Sequence, residues 1–316
     1  MTAPVLHSKK SGTRMVVALS GANGFIGSEV ARSLEQQGHE VRPLVRRAAR
    51  SPAEISWNPA TDFIDTPRLE GVHAVIHLAG ETIAQRWTSD VERRVRDSRV
   101  NGTRLLASAI ASIPRPPAVM LSGSAIGIYG DRGDETLDEN STAGTSFLAA
   151  VCQEWEAATK PVSEAGTRVV HLRTGVVLGR RGGALAKLLP SFRLGLGGRL
   201  GTGRQWMSWI AIADYTAAVA LLLRDVSQAG AFNLVAPNPV TNTEFTRVLG
   251  AVLGRPARVV VPRFALKLAM GHMADATVLA SQRVRPRKLL ETGFNFAFPT
   301  LESALRAELG ATRSAR

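Results

Sequence analysis

The sequence predicts an α/β fold, a parallel sheet wrapped by helices on both faces and followed by a smaller α/β lobe. Three observations lead there. Apolar runs of strand length alternate with helix-period segments from residue 15 to residue 173. A glycine-rich turn, Gly21-Ala-Asn-Gly24-Phe-Ile-Gly27, joins the first run to the first helix. Beyond about residue 180 the alternation weakens into glycine- and proline-rich stretches, LGLGGRLGTGR at 194–204 and APNPVTN at 236–242.

Each element has its own reason. MVVALS over 15–20 is a strand by length and apolarity. A helix over 25–37 follows from Ile26, Val30 and Leu34 at intervals of four, closed by Gly38. Strands are expected over 40–45, 74–78 (AVIHL), 118–122 and 168–173 (RVVHLR), with helices over 89–113 and 147–165 between them. In the later part, helices are expected over 214–224, with Asp214 as the cap, and over 243–253.

The length of 316 residues fits one large domain, or a domain plus a lobe. A single cysteine, Cys152, excludes an internal disulfide and suits a reducing compartment. The opening MTAPVLHSKKSGTR is polar and basic, without the apolar core of a signal peptide. No apolar run approaches the roughly 20 residues of a membrane span, so a cytoplasmic chain without a membrane partner is expected. The net charge of +13 is scattered: Arg93, Arg94, Arg96 and Arg99 on one helix, Arg283, Arg285 and Arg287 near the end. No zinc-finger, RNP or basic-zipper pattern accompanies it, which argues against nucleic acid and for anionic small ligands. No metal site is expected.

The glycine turn carries the chemistry. Gly21 permits a tight turn, Gly24 lets backbone amides approach a pyrophosphate, and Gly27 lets the helix pack on the strand. The helix N-terminus, with Asn23, Phe25 and Ile26 in the turn, offers unpaired N–H groups to the phosphates. This is a Rossmann-type dinucleotide site. An NAD-selective site places a carboxylate about 20 residues further on. Here Arg46 and Arg47 stand instead, and a guanidinium at Arg46 suits the 2′-phosphate of NADP(H).

The spacing of the glycines, His77-Leu-Ala-Gly80 and Asn101-Gly-Thr103 resembles the extended and atypical short-chain dehydrogenase/reductases, or epimerase family. One NADP-binding, epimerase-like subgroup is closer. Its hallmarks stand here as LAGE (78–81), RW (86–87), DSRVNGT (97–103), LSGSAIGIYG (121–130) and RTGVVLG (173–179). They continue as FRLGLGGRLGTGRQWMSWI (192–210) and NLVAPNPVTNTEF (233–245). The segment RVRPRKLLETGFNFAFPTLESAL (283–305) is similar to the uncharacterised domain that ends this subgroup. The resemblance implies that Leu78, Ala79 and Gly80 line the adenosine and ribose side of the cofactor. It further implies that Arg99 approaches phosphates or ribose and that Val176 lies by the nicotinamide. Residues 14–180 would form the dinucleotide domain, with 205–235 returning to it. Residues 181–204 and 236–306 would form the substrate lobe and cap, and 1–13 a disordered tail.

The family's catalytic serine has a counterpart in Ser124. Its Tyr-x-x-x-Lys pair, which moves the proton while hydride is exchanged, does not. Phe147 and Val151 stand at that spacing, and neither tyrosine of the chain, Tyr129 or Tyr215, has a lysine four residues on. Tyr129, in a loop that faces substrate in the larger family, and Ser124 are the catalytic candidates. Glu81 and Cys152 are further ionisable groups nearby, and His77 reads as packed. Trp206 and Trp209 would wall a ligand or anchor the lobe. The sequence thus points to an NADP(H)-dependent epimerase-like oxidoreductase of an unidentified small molecule, acting as a monomer or homodimer. The alternative is a catalytically silent NADPH-binding sensor.

Overall fold

The computed structural model describes residues 14–310, so the expected tail over 1–13 and the last six residues lie outside the described residues. Eight strands form one sheet: β1 (Val16–Ser20), β2 (Glu40–Val45), β3 (Ile55–Asn58), β4 (Phe63–Ile64), β5 (Ala74–His77), β6 (Val119–Ala125), β7 (Arg168–Thr174) and β8 (Gly230–Leu234). Their order is β8-β7-β6-β5-β1-β2-β3-β4, parallel throughout except for β3–β4. The chain leaves β1 through helix α1 (Phe25–Gln36) to β2 on one side, while β5 pairs on the other. That reversal of winding opens a crevice beyond the carboxyl ends of the strands.

Both faces of the central strands β1, β5 and β6 are buried, which is why these strands are mostly apolar or small. Side chains alternate: Val17, Leu19, Ile76 and Leu121 meet Val30 and Leu34 of α1 and Tyr215 and Leu222 of the Ile212–Arg224 helix. Ala18, Val75 and Met120 meet Leu106 and Ile110 of α2 (Ser89–Ser112) on the opposite face. The smaller lobe has its own core of Leu185, Phe192, Trp209, Phe245, Leu249 and Leu305. Trp209 is fully buried there and donates from Nε1 to the Asn238 carbonyl at 3.0 Å, so it anchors the lobe.

Three expectations are corrected. The helix over 147–165 is two, α3 (Phe147–Ala157) and a short turn over Lys160–Glu164. Pro161 has no N–H to continue the ladder, and the Thr159 hydroxyl donates to the Glu156 carbonyl at 2.7 Å. Strands β3 and β4 were not expected. Asp214 does not cap its helix; Ala211 holds the N-cap position, with no side-chain cap bond. The Asp214 carboxylate instead accepts from the N–H groups of Ala297 (2.8 Å) and Phe298 (3.0 Å), tying the C-terminal segment to the Ile212–Arg224 helix.

Replacing Asp214 by Ala leaves the N–H groups of Ala297 and Phe298 without their acceptor and removes both charge-assisted hydrogen bonds. Urea denaturation should show a loss of about 2–4 kcal/mol; unchanged stability contradicts the tie.

Candidate functional site

The glycine turn is built by steric necessity. Gly21 has φ +75°, and a Cβ there would lie 2.9 Å from the Ala79 nitrogen. A Cβ on Gly27 would overlap the Gly21 carbonyl, so α1 sits directly on the turn. Gly24 caps α1 with extended backbone and donates to the Gly21 carbonyl at 2.9 Å. No acidic side chain occupies the first turn of α1, which leaves the positive end of the helix open to an anion. Asn23 and Gly24 are exposed, and Phe25 and Ile26 are half-buried. The Phe25 ring fills the space over Gly179, Gly182 and Gly183, so its role toward a ligand is through its backbone.

At the end of β2 the two arginines separate. Arg47 forks onto Glu54 at 2.6 and 2.8 Å, and Glu54 also accepts the Arg50 N–H at 2.7 Å. The Arg47 hydrogen bonds, then the Arg50 amide, hold the Glu54 carboxyl down at about 2. Arg46 is exposed and has no hydrogen-bond or ion-pair partner among the described residues. The nearby carboxylate is thus already engaged by Arg47, and Arg46 has no carboxylate partner among the described residues.

The turn after β5 is held from beneath. The Ser20 hydroxyl oxygen accepts from the N–H groups of Leu78 (3.1 Å) and Ala79 (3.2 Å). Its proton therefore goes to His77 Nδ1 at 2.6 Å, which places the ring proton on Nε2. That Nε2 is buried without a hydrogen-bond partner, and the ring stands edge-to-face with Trp57 at 5.7 Å. Burial pushes the His77 pKa down to about 4. His77 is packed, neutral and structural.

Leu78 and Ala79 are half-buried and Gly80 is exposed at the crevice. A Cβ on Gly80 would meet the Arg99 guanidinium at 3.3 Å. Arg99 donates to the carbonyls of Glu81 and Val95, both at 3.0 Å, and stacks over Trp155 at 5.2 Å. It forms no ion pair among the described residues, so it is a desolvated cation beside the cofactor turn rather than a surface salt bridge. Glu81 is half-buried and accepts from Gln85 at 3.0 Å.

The catalytic candidates lie in a buried polar chain. Ser124, near the end of β6, donates to Glu156 of α3 at 2.7 Å. Glu156 is forked by Arg173 of β7 at 2.8 and 2.9 Å. Burial raises the Glu156 pKa, but Arg173 and the Ser124 hydroxyl bring it below the ordinary value. Arg173 also donates to the Tyr129 phenol at 3.0 Å, and that phenol donates to Asn233 Oδ1 at 2.8 Å. Asn233 in turn donates to the Arg285 carbonyl at 3.1 Å. Tyr129 is fully buried, and burial raises its pKa. It does not face a substrate as expected; it braces Arg173.

Phe147 and Val151 sit where a tyrosine and lysine were sought. Ser146 caps α3, and Phe147 packs edge-on against Trp87 at 5.6 Å within a cluster that includes Met270 and Met273. Val151 is buried, and burial pushes the Cys152 thiol up to about 12. Val176 follows β7, half-buried, and donates to the Ser208 carbonyl at 2.9 Å. Trp206 donates to Asp134 at 2.8 Å and lies under the Arg283 guanidinium at 4.3 Å. The carboxyl ends of β1, β2, β5, β6 and β7 thus carry the glycine turn, Arg46, Leu78–Gly80, Ser124 and Val176.

Residues 17–235 match the NAD dependent epimerase/dehydratase family, and residues 261–308 match a domain of unknown function. The chain belongs to the epimerase family. An epimerase family protein of Mycobacterium bovis is 42% identical, covering 92% of this chain and 96% of that one. The crystal structure of the human epimerase family protein SDR39U1 with NADPH superposes with a TM-score of 0.86 at 34% identity, covering 94% of this chain and 100% of that one. A nucleoside-diphosphate sugar epimerase from Corynebacterium glutamicum gives a TM-score of 0.79 at 38% identity, covering 94% of this chain and 59% of that one. The Rossmann-type α/β architecture of this epimerase-family chain is therefore established.

Sequence reasoning missed Glu156, Arg173 and Asn233. A signal was present: Arg173 follows apolar Val170 and Leu172 in a strand, and a guanidinium placed there requires a partnered acceptor.

The His77 ring also gives the site a pH signature. Its folded pKa lies below the unfolded value of 6.5, so its stabilising contribution is full above 6.5 and lost as pH falls toward about 4. Urea unfolding should show a loss of about 3 kcal/mol across that interval, absent from His77→Gln. A wild-type and variant that fall in parallel contradict the neutral, packed ring.

Proposed function

We propose that the chain binds NADP(H) across the crevice and is an epimerase-like oxidoreductase of an unidentified small molecule, with a site that lacks the tyrosine–lysine pair. The observation that carries the cofactor reading is the contrast between Arg47, neutralised by Glu54, and the unpartnered Arg46 beside it. The human relative crystallised with NADPH supports it. The first turn of α1 would hold the pyrophosphate and Arg46 the 2′-phosphate. Leu78, Ala79, Gly80 and Arg99 would hold the ribose side, and Val176 the nicotinamide. When bound, the nicotinamide supplies hydride exchange.

The protein's own part is set by its polar chain. Ser124 gives its proton to an ionised Glu156, so toward a ligand it offers lone pairs and accepts from a hydroxyl. Arg173 fixes Glu156, and Tyr129 fixes Arg173. The sensor reading is favoured by one observation: apolar Phe147 and Val151 fill the place of a proton relay.

Calorimetry with Arg46→Ala should show NADPH binding weakened at least about tenfold, or roughly 1.4 kcal/mol, with NADH unaffected. Equal losses for both cofactors overturn the assignment. With purified protein, carbonyl and nucleotide-sugar compounds can be screened by NADPH absorbance. Any turnover found should fall at least about 100-fold in Ser124→Ala. In Tyr129→Phe the pH profile should be unchanged while stability drops by about 1–3 kcal/mol. Turnover that survives Ser124→Ala removes that residue. No turnover, with a partner captured only when NADPH is present, supports the sensor.

A further inference from the structure

We propose that an arginine-lined cavity in the smaller lobe is a second anion site, one that takes a phosphate-bearing ligand. The cavity, about 470 Å³, lies between the Asn242–Leu253 helix and the segment running through residues 255–259. Arg199, Arg247, Arg255 and Arg258 line it, and none of its lining residues belongs to the glycine turn or to the strand ends around it.

Residues 180–262 contain ten basic and three acidic side chains, so this stretch supplies +7 of the chain's +13. On α2, by contrast, the basic residues are neutralised: Arg93 pairs with Asp90 at 2.7 Å and Arg96 with Glu154 at 2.7 Å. In the cavity only Arg247 has a carboxylate, Glu244 at 2.7 Å, with Glu302 adding a weaker influence. Arg199 is spent on a backbone carbonyl, that of Gly201, at 2.8 Å. Arg255 and Arg258 are exposed and form no ion pair among the described residues.

The concavity is built by the backbone. A Cβ on Gly250 would lie 2.8 Å from the Ala257 Cβ and 3.0 Å from the Arg255 carbonyl oxygen, so the glycine lets the 255–257 segment lie on the helix. Arg255 N–H donates to the Gly250 carbonyl at 3.0 Å and fixes that path. Guanidinium groups converging on a concave surface focus a positive field, and their forks match phosphate oxygens. Like charges brought together repel, and a bound polyanion relieves the repulsion. Beside the cavity, Val259 and Val260 are 41% and 46% exposed, an apolar rim suited to a phosphate carried on an apolar body.

The test is a calorimetric titration of sodium pyrophosphate into the full chain saturated with NADPH, so that the glycine turn is already filled. At low salt the wild type should bind pyrophosphate, and Arg255→Ala/Arg258→Ala should bind it at least tenfold more weakly with NADPH affinity unchanged. Absence of binding by the loaded wild type, or equal binding by the double variant, overturns the proposal. Co-sedimentation with phosphatidylcholine vesicles, with and without phosphatidylglycerol, separates the two sources of phosphate. Binding to anionic vesicles that is lost in Val259→Glu/Val260→Glu identifies a lipid headgroup; pyrophosphate binding without co-sedimentation identifies a free phosphate compound. This inference does not rest on the cofactor reading. If NADPH fails to bind, that reading falls, while the comparison of wild type with the double variant still decides the cavity.

Discussion

Helix α1 is seated on the carbonyl of Gly21 with no room for a side chain at Gly27, and the cofactor side of the molecule is arranged around that approach. Because the helix comes so close, its first-turn N–H groups stand directly over the end of β1. Because Gly21 turns left-handed beside Ala79, the loop after β5 lies against the same turn. Ser20 then ties that loop down with two accepted hydrogen bonds, and His77 receives the remaining proton. A rigid floor results, made of backbone and one neutral ring, on which charged groups such as Arg46 and Arg99 can be placed.

The other half of the crevice is organised by charge. The Glu156–Arg173 pair is largely removed from solvent, where an ion pair is stable only if its remaining hydrogen-bonding positions are filled. Ser124 fills one and the Tyr129 phenol another, and Asn233 links the phenol to the backbone of Arg285. The domain of unknown function is thereby connected, through four side chains, to Ser124 of β6.

How much was legible in the sequence depended on distance along the chain. The glycine turn and Gly38 could be read because each has a reason contained within one strand–turn–helix unit. The loss of the tyrosine and lysine could be read too, since a spacing of four is local. What fills their place could not: Phe147 packs on Trp87 in a cluster that Met270, more than 100 residues away, also joins. Tyr129 and Asn233 are likewise 104 residues apart, so nothing near Tyr129 announced that its phenol was already engaged. The short β3 and β4 carry too few residues to set a period, whereas the break in the helix near Thr159 had a signal in Pro161.

Leu289 belongs to the same core as Val17, Leu19 and Val30, with Phe294 and Phe296 packed against it. Strand β1 therefore shares its packing with residues synthesised more than 250 positions later. During translation the sheet must wait with one flank open, its apolar side chains available to chaperones or to other nascent chains, until the C-terminal segment emerges. The domain of unknown function is in this sense a closing piece of the fold, and a ribosome stalled before it would carry a cofactor turn without a finished core to support it.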